Sequence, residues 1–271
     1  MSLENKKITV IMGLFNCEKT LEESINCLIQ QTYKDWNLIM CDDGSSDNTY
    51  NIAKNIASKY PKQMLLIKNE RNMGLNFTLN KCLKLANGEY IARMDADDVC
   101  DNKRFEKEIY ILDNNPQYAF VSSPMILFDE NGEWGCDWGI EKPEAKDLIK
   151  SRPFCHAACM IRKKVFLDVG GYTVDKKLLR VEDLHLWMKL YEKGYLGYNI
   201  QEPLYKMRDD RNAYSRRKFK YRLNESYVNY LTVKKLKLPI FYFIYAIRPI
   251  LVGLMPNKLY DLLHKLRLGR D

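Results

Sequence analysis

Histidine is scarce in this chain, with 3 among 271 residues, and none of the 8 cysteines forms a Cys-x-x-Cys pair. Those absences remove the ligand spacings of a zinc site. No Gly-x-Gly-x-x-Gly follows any strand-like run, so a dinucleotide site is poorly supported. Repeats and low-complexity tracts are missing as well. Met1 to Lys7 has no apolar core and passes directly into a strand-like run, unlike a signal peptide. Several cysteines sit inside apolar runs as small hydrophobes. The expectation is a reduced, cytosolic setting.

Positive charge is lacking over most of the length. Residues 1–200 sum to −2, whereas residues 201–271 hold 16 Lys and Arg against 6 Asp and Glu, a net of +10. A near-neutral body with a basic tail points to an anionic surface as the tail's partner. The length suffices for one large α/β domain or two small ones.

What is present begins with alternation. Ile8 to Leu14, Trp36 to Cys41, Met64 to Ile67 and Tyr90 to Met94 are short apolar runs that predict strands. Between them lie helical faces: Leu21, Ile25, Leu28 and Ile29, with Asn16 as the expected cap; then Ile52, Ala53 and Ile56; then Leu75, Leu79, Cys82, Leu83 and Ala86, stopped by Asn87-Gly88. The pattern predicts an α/β fold, a mostly parallel sheet covered by helices on both faces, with ligands at the carboxyl ends of the strands. Residues 114–153 read as short strands and loops. Cys155 to Ile161 reads as a strand, Lys163 to Val169 as a helix closed by Gly170-Gly171, and Glu182 to Glu192 as a helix stopped by Gly194.

Two acidic loops fall at that sheet edge. Tyr90 to Met94 stops in Asp95-Ala96-Asp97-Asp98, three carboxylates within four positions. Such a cluster is costly unless a cation neutralises it, and hard oxygen ligands suit Mg²⁺ or Mn²⁺, ions that usually carry phosphates. A solvated acidic turn capping the next helix is the plainer reading. The other loop, Asp42-Asp43-Gly44-Ser45, offers a carboxylate to a base or ribose edge and a glycine that permits close approach.

In order, Ile8-Thr9-Val10-Ile11-Met12, Phe15-Asn16-Cys17-Glu18, Gln31-Thr32-Tyr33, Asp42 to Thr49, Asn72-Met73-Gly74-Leu75, Gly88-Glu89-Tyr90-Ile91 and Asp95 to Asp98 resemble the family 2 glycosyltransferases, closely over residues 8–112 and more loosely to about residue 225. The resemblance is to enzymes of the bacterial capsule and lipopolysaccharide type. It implies the GT-A fold, a three-layer α/β/α sandwich with a basic helical extension: a catalytic domain over residues 1–205, with a nucleotide-sugar half to residue 112 and an acceptor half after it, then an amphipathic extension over 206–271. It also implies a nucleotide-sugar donor, of the uridine diphosphate type, and Mn²⁺ or Mg²⁺ at the Asp-x-Asp pair. Carried over, Asp43 contacts the base, Asp95 and Asp97 touch ribose and metal, and Gly13, Phe15, Asn16 and Glu18 line the nucleotide. Asp98 leaves the register of the pair open. Gly13 departs from the Pro, Thr or Ser common in relatives, which leaves the base identity open.

In the second half, Glu182-Asp183 matches the pair whose aspartate deprotonates the acceptor hydroxyl in inverting members. Helix N-terminal acids are the plainer reading, stabilising by roughly 0.3–1 kcal/mol. His156, with Arg162, matches a pattern near the acceptor pocket, and a buried structural histidine fits equally. His185 points elsewhere on its helix, and Trp187 and Met188 read as core. Arg208, Arg211, Arg216 and Arg217 form a cationic cluster suited to a diphosphate or to a solvated helix face.

Leu238 to Met255 is apolar and aromatic but interrupted by Arg248 and Pro249. It is followed by a basic amphipathic stretch, Leu259 to Leu266. Two helices lying in the membrane interface fit better than one spanning it. Packing on the catalytic domain or in a homodimer is the rival. Nucleic acid is disfavoured, because the aromatics lie inside the apolar run. The expectation is a peripheral enzyme at the inner face of the cell membrane, acting on a saccharide acceptor that is lipid-linked. A nucleotidyltransferase would want a glycine-rich, basic loop where Phe15 to Glu18 stands. A non-catalytic sugar-nucleotide module would be expected to lack Asp97 or Asp183.

Overall fold

The computed structural model describes residues 3–209 and 218–255. The predicted alternation appears as β1 (Ile8–Leu14), α1 (Leu21–Ile29), β2 (Trp36–Asp42), α2 (Thr49–Lys59), β3 (Met64–Lys68), α3 (Leu75–Leu85) and β4 (Tyr90–Arg93). These four strands are parallel, with β1 between β2 and β4 and with β3 outside β2. Side-chain alternation divides the core into two layers. Val10, Met12, Leu14, Leu38 and Met40 pack with α1 on one face, while Ile11, Ile39 and Ile91 pack with α3 on the other. Burial on both faces is why the strands read as continuous apolar runs.

After β4 come β5 (Val99–Cys100), α4 (Arg104–Asn114), β6 (Tyr118–Ser122), β7 (Met125–Asp129), β8 (Gly132–Asp137), α5 (Asp147–Lys150), β9 (Met160–Arg162), α6 (Lys163–Asp168), α7 (Glu182–Glu192), β10 (Leu196–Asn199), β11 (Tyr205–Arg208), α8 (Phe219–Lys235) and α9 (Ile244–Gly253). The seven-stranded sheet runs β10-β6-β9-β4-β1-β2-β3, and a second sheet runs β5-β11-β7-β8. β11 carries the second sheet three residues past the expected boundary at residue 205.

Two sequence expectations need correction. The strand expected over Cys155 to Ile161 is only β9, antiparallel to both neighbours. The residues before it turn, with the Cys159 N–H on the His156 carbonyl and the Cys155 carbonyl held by the Ser122 hydroxyl. Nor does Asn16 cap α1. Its backbone is left-handed, with φ 50°, and its side-chain oxygen accepts from the Ser46 N–H at 2.9 Å; the helix starts after Thr20.

One buried ion pair anchors the end of β4. Arg104 and Glu108, on α4, are fully buried and paired at 2.9 Å. Arg104 also donates to the Arg93 carbonyl at 3.0 Å.

In the tail, α8 packs on α7 and α9 packs on α8. Pro249 lies inside α9. A proline removes the donor to the carbonyl four residues back, here Tyr245. The Asn229 amide donates to that carbonyl at 3.0 Å, and Ser226 donates to the next one, Ala246. Among the described residues, no helix is long and apolar enough to cross a membrane. The basic stretch after residue 258 and Arg211, Arg216 and Arg217 lie outside the described residues.

Candidate active site

β1, β2 and β4 end side by side, and the loops after them make the site. Asp42 closes β2 and is buried together with Asp43. Asp43 accepts three hydrogen bonds, from Asn69 at 2.8 Å, the Met73 N–H at 2.8 Å and the Gly74 N–H at 2.9 Å. Its carboxylate is an anchor for the turn that leads into α3. Asp42, which the sequence reading passed over, is fully buried with an unpaired oxygen. Its Oδ2 faces the Ser45 N–H at 3.4 Å and the Lys68 ammonium at 3.9 Å, while Oδ1 is buried with no hydrogen-bond partner. A buried orphan acceptor calls for an explanation. Gly44 follows with φ +74°, and a Cβ there would meet the backbone of Arg71 at 2.8 Å. Only glycine lets these two loops touch.

The residues expected to line a nucleotide are used mainly to join loops. Ser45 Oγ accepts from the Asn16 N–H at 3.1 Å, and Glu18 accepts from the Asn48 N–H at 2.9 Å. Phe15 is about half exposed beside them. Gly13 sits under α3, and an added Cβ would be 3.2 Å from Leu75.

The acidic loop after β4 is braced at every residue. Thr20 donates to the Ala96 carbonyl at 2.9 Å, Ser24 to the Asp98 carbonyl at 2.6 Å and Arg208 Nε to the Asp97 carbonyl at 3.0 Å. The Tyr205 hydroxyl accepts from the Asp95 N–H at 3.2 Å and donates to Asp98 Oδ2 at 2.9 Å. The Arg208 N–H takes the other Asp98 oxygen at 2.8 Å. Asp98 is therefore turned inward. Burial, then the charges of Asp95 and Asp97, push its carboxyl up to about 8. Arg208 is spent here as well, with its guanidinium also paired to Glu23. Arg208, expected near the diphosphate, here braces the acidic loop.

Asp95 is half-buried and gripped by Arg93, whose guanidinium reaches both of its oxygens at 2.7 and 2.9 Å. Arg93 is 5 % exposed, and its Nε has no partner. Burial works against its charge, but the surrounding acids, Asp95 foremost, outweigh it. Asp97 is exposed, and among the described residues no other side chain is bonded to its carboxylate. Crowding by the loop raises its carboxyl, and Asp95 raises it further.

Across from this loop, Glu182 and Asp183 open α7. Burial and then Asp183 raise the Glu182 carboxyl, while the charges of Arg93 and Arg180 pull it back. One buried guanidinium thus acts on acids from both halves of the chain, Asp95 and Asp97 from one and Glu182 from the other. His156 is buried, and its Nε2 lies 2.8 Å from the Tyr172 hydroxyl. Burial and then Arg93 hold it well below its ordinary value. These contacts are those of the buried structural histidine that the sequence equally allowed. Arg162 is likewise structural, donating to the Tyr118 and Leu112 carbonyls.

A hard divalent cation fits this donor set. An exposed carboxylate whose ionisation is opposed by its neighbours is stabilised by a cation. The described residues hold no cluster of three protein ligands. Most of the coordination would fall to phosphate oxygens and water, as is usual for Mg²⁺.

The family model described as Glycosyl transferase family 2 matches residues 9–170. EpsE of Bacillus subtilis, named as a glycosyltransferase, is 41% identical over 96% of this chain and 94% of its own length. The Escherichia coli enzyme WfaP, named as a UDP-Glc:α-D-GlcNAc-diphosphoundecaprenol β-1,3-glucosyltransferase, is 26% identical over 82% of this chain and 84% of its own. In structure, the mannosyltransferase PcManGT from Pyrobaculum calidifontis, solved with GDP-Man and Mn²⁺, superposes with a TM-score of 0.67, covering 98% of this chain and 81% of its own at 15% identity. With the fold, the acidic edge and these likenesses in agreement, the chain belongs to the family 2 glycosyltransferases and has their GT-A fold.

Proposed function

We propose that this enzyme moves a sugar from a uridine diphosphate donor to a hydroxyl of a lipid-linked saccharide, inverting the anomeric centre, in cell-surface polysaccharide assembly. One observation carries the reading: the charge of buried Arg93 acts on Asp97 from the acidic loop and on Glu182, which with Asp183 opens α7. In this scheme Asp183 takes the proton of the acceptor hydroxyl as that oxygen bonds to the anomeric carbon and the bond to the diphosphate breaks. Mn²⁺ or Mg²⁺ at Asp97 would supply charge neutralisation for the departing diphosphate. The uridine donor and the lipid-linked acceptor are favoured by the name of WfaP. PcManGT was solved with a guanosine donor, so both bases belong in the test.

Attachment to the inner face of the cell membrane fits the tail. Ile240, Ile244, Ile247, Leu251 and Leu254 are each more than half exposed and recur at four and three residues. Phe219, Leu223 and Tyr227 form a similar stripe on α8, and Lys218, Lys220, Lys234, Lys235 and Lys237 lie at its ends. An apolar stripe flanked by lysines suits an anionic bilayer interface. Thermal unfolding of the full chain with UDP, GDP and their sugars, with Mn²⁺ or EDTA, tests the donor. Stabilisation by uridine compounds that needs the metal supports the reading, and stabilisation by GDP alone overturns the base assignment.

A further inference from the structure

The loop after β4 divides its three carboxylates among three tasks. Asp98 has both oxygens turned inward, onto the Tyr205 hydroxyl and the Arg208 N–H. Asp97 is exposed, with no other side chain bonded to its carboxylate among the described residues. Asp95 lies between these states, because its position in the Asp-x-Asp pair is that of a ligand while both its oxygens are already held by Arg93.

Arg93 is well placed to hold them permanently. It sits inside the sheet at the end of β4, with its N–H on the Cys159 carbonyl at 3.0 Å and its own carbonyl pinned by Arg104. One guanidinium nitrogen holds both oxygens of the carboxylate, a charge-assisted pair between buried and half-buried groups. Inside a protein such a pair is not given up for an exposed ligand unless something replaces the arginine's partner.

We propose that Arg93 is a positioning residue that withholds Asp95 from the metal, so that the motif presents one carboxylate, Asp97, to the cation. The inference rests on the glycosyltransferase reading of the site. It has a consequence opposite to that of an ordinary supporting residue. Removing Arg93 frees Asp95 and adds a net negative charge beside Asp97, so the metal binds more tightly while turnover falls. Tighter metal on the product side also holds the diphosphate longer.

The experiment is calorimetric titration of Mn²⁺ into the full chain saturated with UDP, for the native protein, Asp97→Asn, Asp95→Asn, Arg93→Met and Arg93→Lys. The expected results are loss of binding in Asp97→Asn, about tenfold weaker but measurable Mn²⁺ binding in Asp95→Asn, and about tenfold tighter Mn²⁺ in Arg93→Met, as befits one nearby charge removed or added. Arg93→Lys should fall between native and Arg93→Met. Adding Asp95→Asn to Arg93→Met should abolish the gain. If Arg93→Met fails to fold, Asp95→Asn alone decides. Metal binding lost in Asp95→Asn as fully as in Asp97→Asn overturns the proposal, as does a folded Arg93→Met that binds Mn²⁺ no more tightly than native. A native protein that binds neither UDP nor Mn²⁺ overturns the parent reading and this inference together, whereas native binding with an unresponsive Arg93→Met overturns only the inference.

Discussion

Replacing Arg104 by methionine removes the positive half of the fully buried pair on α4. The shape of the stem is kept. What is lost is the 2.9 Å contact to Glu108, the 3.0 Å bond to the Arg93 carbonyl and the stacking of the guanidinium 5.2 Å from the Tyr205 ring. Breaking a buried pair from one side costs about 3–5 kcal/mol, because the remaining charge is uncompensated. Glu108 is already strained in this respect: burial, offset by Arg104, pushes its carboxyl up to about 7, and its Oε2 has no partner. The sign follows. A carboxyl raised in the folded state binds its proton more tightly there than in the unfolded chain. This group's contribution to stability is therefore greatest below its ordinary value of 4.5, falls as pH rises, and levels off above about 7. Without Arg104 the Glu108 carboxyl rises further, and the levelling disappears. Urea unfolding at pH 5, 6, 7 and 8 should show Arg104→Met still losing about 1.4 kcal/mol per pH unit relative to native between pH 7 and 8. Arg104→Met with Glu108→Leu should recover most of the loss. Parallel stability curves for native protein and Arg104→Met would refute the reasoning.

Asp183→Asn should bind donor within a few fold of native and lose roughly 10²–10⁴ in turnover, the usual weight of a general base; full turnover in a purified assay would leave Asp183 a helix-start acid only. His156→Gln should lose stability at pH 7.5 with its Tyr172 contact. Because folding holds the imidazole below 6.5, native His156 contributes stability above that pH and loses it at up to about 1.4 kcal/mol per unit below; the variant's curve between pH 6.5 and 5 should be flatter, and an equal slope would count against a buried neutral ring. The full chain should sediment with anionic liposomes at low salt, less so at high salt, and Ile244→Glu with Leu251→Glu should abolish it without changing donor binding. A native chain that ignores the liposomes and runs as a dimer would assign the stripe to a second copy.

The first four strands and three helices were legible because each obeys one simple period and stops at a recognisable signal. Val10 and Ile11 pointing to opposite layers is period two made visible, and Gly170-Gly171 and Gly194 end their helices in left-handed conformations. The division of labour in Asp95 to Asp98 was not legible. It depends on Tyr205 and Arg208, about 110 residues away, and on an arginine whose burial no local pattern announces. Arg93 sits in an apolar run, and an arginine there was itself the available signal. Asp42 and Asp43 are chemically identical in sequence, and only the turn at Asn69 to Gly74 shows which one is saturated. The two readings of His156 stayed open for the same reason, since the Tyr172 hydroxyl that bonds it comes from after α6. The accommodation of Pro249 inside α9 was not legible either, because the Asn229 amide that bonds the Tyr245 carbonyl comes from another helix.

The central claim is that Asp97 holds a divalent metal on the diphosphate of a uridine donor. Isothermal titration of UDP into the full chain, once with Mn²⁺ and once with EDTA, for native protein and Asp97→Asn, tests it most directly. The account predicts that UDP binds native protein at least about tenfold more tightly with Mn²⁺, a difference of about 1.4 kcal/mol, and that Asp97→Asn erases the difference. Equal UDP affinity with and without metal in the native protein would contradict it.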